Sequence, residues 1–237
     1  MLTLVLLPGM DGTGTLFKPF IAALGEEFRV RVVSYPVADA LGYGELEAHA
    51  SQSLPNSGHF ILLGESFSGP IAVAIAASRP PGLVGVVLCS TFVRNPRPVF
   101  GPLRHLASLL PVKLAPFSVL GTLLLGRFST PALRAALATA MALVSARALR
   151  ARLHAVLGLE VSSQLRAIDV PMLYLLARHD RIVPVSALKH IQHIAPSVLV
   201  AAIEAPHFLL QAAPAEAAQA VASFARKLQT SQHEHIE

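Results

Sequence analysis

"LLGESFSGPIA", residues 62–72, decides how this chain is read. An apolar run ends at Gly64, Ser66 follows, and a helical pattern of small and apolar residues begins at once. A serine on a sharp strand-to-helix turn exposes its hydroxyl as a nucleophile, and its neighbours must be small so that the helix packs on the strand. The usual spacing is G-x-S-x-G. Here Ser68 stands in the place of the second glycine, and Gly69 comes one residue later. Serine is nearly as small, so Ser68 reads as a tolerated spacer: Ser68→Gly is expected to preserve activity and Ser68→Leu to disturb the turn. A strained backbone at Ser66 would lift Oγ above the carboxyl edge of the strand. By itself the stretch fits a Ser/Gly-rich turn as well as an active site.

Working outward, short apolar runs recur at 2–8, 29–36, 59–64, 83–90, 171–177 and 197–204. Most are nearly continuous, as strands covered on both faces are. Helical patterns at 15–25, 43–54, 67–78, 185–194 and 212–229 separate them. The alternation predicts right-handed crossovers and an α/β fold: an open, mostly parallel six-stranded sheet flanked by helices. Residues 92–168 break it. They carry no convincing strand, prolines cut their first part, and 131–157 reads as a strong helical pattern with arginines on a solvated face. The expected organisation is a core of 1–91 and 169–230, an insertion at 92–168, and a disordered tail at 231–237.

A serine nucleophile needs a base, and the base an orienting acid. Asp180, in "RHDRIVP", follows the fifth strand, and His207, in "APHF", follows the sixth. Ser66, Asp180 and His207 thus each stand beyond the carboxyl end of a different strand, the edge where open α/β sheets build their sites. Their order along the chain is that of a Ser…Asp…His triad. His179 and Glu204 are the rivals as base and acid. The fourth strand ends in "LCST", which offers no carboxylate, and this favours Asp180. Donors for an oxyanion are expected from the backbone N–H groups of Phe67 and, in the glycine-rich loop "PGMDGTG" (8–14), of Met10. Asp11 reads as a cap of that turn.

Composition bounds the rest. One cysteine among 237 residues, Cys89, excludes a disulfide framework and a Cys-rich metal site. No cofactor or metal is expected, the glycine-rich loop lacking a phosphate-binding ending. Mean hydropathy is +0.57, and 14% of residues are charged. Between Arg94 and Arg166 stand ten basic residues and one acid, Glu160; the rest of the chain holds nine bases and thirteen acids. The inserted segment is therefore a separate basic object, able to meet an acidic carrier protein or an anionic lipid surface. It is poor in aromatic residues and carries no reading motif, so nucleic acid is not an expected partner. The first apolar run is too short for a signal peptide, and Pro111, Lys113 and Pro116 interrupt the greasy stretch at 106–126. No transmembrane span and a cytoplasmic location are therefore expected.

With "LLPGMDGTG", "GESFSG", "RHDRIVP" and "APHF" on the page, the chain resembles the α/β-hydrolase superfamily, in particular small bacterial carboxylesterases and acyl-ester hydrolases. The resemblance implies strand order 2-1-3-4-5-6, a helical cap (lid) inserted after the fourth strand at 92–168, and a serine hydrolase that cleaves carboxylic esters through an acyl-serine; the apolar stretch at 100–128 suggests a lining for short to medium acyl chains. The core motifs are also similar to those of plant phytyl ester synthases, which move acyl groups to alcohols. Ser66 argues against the dehalogenases and epoxide hydrolases of this fold, which use a carboxylate nucleophile. The chain has no tryptophan, which cofactor-free haloperoxidases keep beside the oxyanion hole. Hydroxynitrile lyases of this fold share the triad and stay open as a rarer alternative; a non-catalytic receptor is a further one, and an intact Ser/Asp/His set speaks against it.

Overall fold

The computed structural model describes residues 1–99 and 117–233. Six strands form one sheet: β1 (Thr3–Leu7), β2 (Arg29–Val32), β3 (Phe60–Glu65), β4 (Leu83–Cys89), β5 (Met172–Ala177) and β6 (Leu199–Ile203). Their order is β2-β1-β3-β4-β5-β6 and every pairing is parallel. The continuous apolar runs are the inner strands: β1 and β3 are buried at every residue, whereas edge strands β2 and β6 are largely open. Helices α1 (Lys18–Leu24) and α10 (Pro214–His233) cover one face, packing Phe20, Val221 and Phe224 against Leu4, Leu6 and Ile61. Helices α2 (Tyr43–Ser51), α3 (Gly69–Ala77) and α8 (Val185–Ile194) cover the other, with Leu46, Ile71 and Ile191 against Val5, Leu62 and Val86.

The segment between β4 and β5 holds α4 (Phe117–Leu125), α5 (Pro131–Leu143), α6 (Ala146–Leu157) and the short α7 (Ser162–Arg166). Its only described pairing of strand type is a single bridge between Arg94 and Glu160. The pattern at 131–157 is two helices rather than one, bent by 99°. Val144 turns to extended backbone and is fully buried, and Ser145 caps α6 by accepting from Ala148 N at 3.0 Å. Of the greasy stretch at 106–126, residues 106–116 lie outside the described residues, as do 100–105, and the rest forms α4 and the turn after it.

The C-terminal pattern is likewise split. A four-residue helix α9 (Leu209–Ala212) precedes α10, which starts at Pro214, where a residue without an N–H costs no helical bond. Helix α10 runs to His233, so residues 231–233 of the expected tail are helical; 234–237 lie outside the described residues. Among the described residues no single helix is long and apolar enough to cross a membrane, although α5 and α6 together pass that test on length and composition.

Candidate active site

Strands β3, β5 and β6 carry Ser66, Asp180 and His207 just past their carboxyl ends, and the loops bring the three side chains together. Ser66 Oγ lies 2.8 Å from His207 Nε2, and His207 Nδ1 lies 2.8 Å from Asp180 Oδ2. The other carboxylate oxygen, Oδ1, accepts from the N–H groups of Ile182 and Val183, both at 2.8 Å. Asp180 is thus fixed in rotation, and its second oxygen is aimed at the imidazole. The His207 and Asp180 side chains are only 5% and 6% exposed, so the pair acts in a poorly screened environment.

Ser66 has φ 49°, the left-handed region that only a tightly held non-glycine residue adopts. Several contacts hold it there. Thr91, beyond the end of β4, donates its hydroxyl to the Ser66 carbonyl. Thr91 is itself fixed by Tyr174 of β5, whose hydroxyl donates to Thr91 O at 2.7 Å and accepts from Thr91 N at 3.1 Å. Gly69 sits directly against Thr91: a Cβ there would overlap Thr91 Oγ1 and come within 2.5 Å of its Cγ2. The late glycine is therefore the one the packing requires.

Ser68 corrects the sequence reading. It is fully buried, which agrees with the demand for a small residue. It is not a mere spacer, however. Its hydroxyl donates to the Pro8 carbonyl and stands 2.7 Å from the Tyr35 hydroxyl, so it ties the turn to the loop after β1. A glycine there would strand two buried polar groups. Phe67 is buried and stacked on Tyr43 at 4.8 Å, and half-buried Met10 packs against Val144, Ala148 and Leu149.

The loop after β1 is held at every carbonyl from Pro8 to Gly12. Pro8 O accepts from Ser68, Gly9 O from Gly12 N, Met10 O and Asp11 O from Arg152, and Gly12 O from Tyr35 N. Asp11 caps the turn as expected, its Oδ2 accepting from Thr13 N at 2.9 Å and Thr13 Oγ1 at 2.5 Å. Arg152 is a second correction. It was expected on a solvated helix face, yet it is 1% exposed. The signal was present in the spacing: it shares a helix face with Ala148, Leu149 and Val156, all buried.

Glu65, beside Ser66, is buried. Gln211 Nε2 donates to it at 2.9 Å and Gly9 adds a backbone hydrogen bond. Burial dominates, and its pKa is pushed up to about 7. The rivals of the central set lie outside it. His179 Nε2 is 2.7 Å from Glu204 Oε2 and 2.9 Å from Arg127, in an exposed cluster that Arg178 joins.

A parallel sheet of this order with a serine at its β3 turn and a histidine beyond its last strand defines an α/β hydrolase. The family model described as serine aminopeptidase, S33, matches residues 19–227, and the chain belongs to that family. Solved structures agree in fold. A thermophilic esterase from Thermogutta terrifontis has a TM-score of 0.81 at 21% identity, covering 96% of this chain and 90% of its own. A lipase-esterase related protein from Clostridium acetobutylicum gives 0.74 at 18%, covering 96% and 94%. A bromoperoxidase from Bacillus anthracis gives 0.79 at 17%, covering 94% and 91%. At these identities the likeness is one of fold. Among curated proteins, chloroplastic phytyl ester synthase 1 of Arabidopsis thaliana is 34% identical over 122 residues, 47% of this chain. The matched part is 17% of that protein's length.

Proposed function

We propose that this hydrolase is a carboxylesterase in which Ser66, His207 and Asp180 form the catalytic triad. The observation that carries the reading is the unbroken relay of 2.8 Å contacts from Ser66 Oγ through the imidazole to Asp180. Ser66 Oγ attacks the acyl carbon and His207 Nε2 takes its proton. Asp180 holds Nδ1–H and stabilises the imidazolium. The N–H groups of Met10 and Phe67 receive the oxyanion. His207 then protonates the departing alcohol, and water, deprotonated by the same imidazole, releases the acid from the acyl-serine.

The segment between β4 and β5 serves as the cap, over a substrate of short to medium acyl length. Its contacts with the site's own loops support this: Leu124 O accepts from Phe208 N, and Arg152 reaches Met10 and Asp11. An ester fits this segment better than a peptide amine. A substrate ammonium needs a carboxylate, and between Arg94 and Arg166 ten basic residues stand against a single acid, Glu160. The test is hydrolysis of a series of p-nitrophenyl esters by the wild type and Ser66→Ala. Turnover that survives in Ser66→Ala at the wild-type rate would sink the assignment.

The basic charge of this segment and the partial likeness to a phytyl ester synthase favour one second reading. In it the same acyl-serine is loaded from, or passed to, an acidic acyl carrier or an anionic lipid surface docked on the cap. Activity on carrier-borne or vesicle-borne esters then falls steeply as salt rises from about 50 to about 300 mM, where the Debye length shortens from about 14 to about 6 Å, while small soluble esters are unaffected. An equal salt response on both substrates removes this reading.

A further inference from the structure

Among the described residues, Arg152 is the largest side chain buried to this degree. It enters from α6, between β4 and β5 in sequence, and reaches across to the loop after β1. Its Nη1 donates to Met10 O at 2.8 Å and Asp11 O at 2.9 Å, and its Nη2 to Pro36 O at 3.0 Å. The guanidinium carbon lies 5.8 Å from the centre of the Tyr35 ring. Gly12 has φ +71°, and a Cβ on it would fall 2.6 Å from Nη1. The loop is shaped around the fork.

Burying a guanidinium against carbonyls is a poor way to add stability, because desolvation offsets most of the gain and an apolar side chain of that size does as well. What the fork supplies is direction. The planar peptide between Asp11 and Gly12 is gripped by Arg152 at its carbonyl; its N–H, from Gly12, donates to Gly9 O at 3.0 Å. Gly9 O belongs to the peptide whose other end is the Met10 N–H. In a trans peptide the two point in opposite directions, so fixing Gly9 O fixes the Met10 N–H. Met10 O, on the next peptide, is gripped by the same Nη1.

We propose that Arg152 is a positioning residue that orients the Met10 N–H from α6, so that the oxyanion hole is complete only when α6 is seated on the loop after β1. The inference rests on the oxyanion role proposed above for Met10. It assigns to the inserted segment a part in the chemical step itself, beyond enclosing the substrate.

The experiment compares wild type, Arg152→Lys and Arg152→Ala on p-nitrophenyl butyrate, at a temperature where thermal melts show each protein folded. For Arg152→Ala, kcat is expected to fall about 10²–10³-fold with KM nearly unchanged, the signature of a lost oxyanion donor. The alkaline and acid limbs of the kcat/KM pH profile should stay in place, since the His207–Asp180 contact is untouched. Guanidinium ion at non-denaturing concentration should restore about tenfold or more of that kcat, and should do nothing for Ser66→Ala. Arg152→Lys keeps the charge but loses the fork; it should also lose kcat, and it stands in if the alanine variant does not fold. A lowered melting temperature with kcat within threefold of wild type in both variants overturns the proposal and leaves the esterase reading intact. A wild type that neither hydrolyses esters nor is labelled on Ser66 by a fluorophosphonate overturns that reading, and the clamp with it.

Discussion

The hydroxyls of Tyr35 and Ser68 lie 2.7 Å apart in the core, and Ser68 passes the contact on to the Pro8 carbonyl. Burial drives the Tyr35 pKa upward, so the phenol stays neutral and able to donate. The nucleophile turn and the loop after β1 are thereby joined from below. Ser68→Gly and Ser68→Ala each strand the Tyr35 O–H and Pro8 O, at an expected cost of about 1–3 kcal/mol. Tyr35→Phe removes one of the stranded groups, so its combination with Ser68→Ala should cost less than the sum of the two singles. Urea melts of the four proteins measure this. Additive costs would mean that the two hydroxyls are not coupled.

A second test concerns the displaced glycine. Gly69→Ala forces a methyl into Thr91, the residue whose hydroxyl holds the Ser66 carbonyl. Overpacking of this kind costs about 1–3 kcal/mol. The loss should extend to fluorophosphonate labelling of Ser66, because Thr91 must shift. Unchanged labelling at unchanged stability would show that the turn has slack it is not expected to have.

The sheet is legible because each inner strand is a continuous apolar run, and the candidate site because Ser66, Asp180 and His207 each follow a strand-like run, the last of them that of edge strand β6. What escaped was polarity inside the core. The size of Ser68 does not reveal that Tyr35, from another strand end, needs a partner. "LCST" offers no carboxylate, but the turn needs a donor, and Thr91 supplies it. Arg152 is one arginine among many; only its position on the Ala148–Val156 face marks it, and its carbonyl partners lie 116 to 142 residues away in sequence. The break at Val144–Ser145 was hidden because the helical period resumes almost in phase after it, although Ser145 is a capping residue in plain view.

The orienting acid can be tested against its rival. Asp180 receives two backbone N–H groups and faces His207, whereas Glu204 is 65% exposed and bound to His179 and Arg178. Asp180→Asn is expected to lower kcat by about 10³–10⁴-fold by favouring the wrong tautomer of the imidazole. Glu204→Gln should leave kcat within about twofold, as surface pairs contribute little. The reverse ranking in ester hydrolysis would transfer the role to Glu204.

Glu65 makes stability depend on pH in an unusual direction. Burial raises its pKa from 4.5 to about 7, with the hydrogen bonds from Gln211 and Gly9 pulling only partly back. The folded protein therefore holds a proton that the unfolded chain gives up above pH 4.5. The stabilisation tied to this proton is full below pH 4.5 and is lost as pH rises through about 7, a change on the order of 3 kcal/mol. Glu65→Gln removes the titration. Its amide N–H₂ can also donate to Gln211 Oε1, a buried acceptor left without a partner among the described residues. Urea melts of the two proteins should therefore diverge with pH. The variant is expected to match the wild type near pH 4.5 and to exceed it at pH 8. A stability difference that stays constant between those values would mean that Glu65 is ionised throughout.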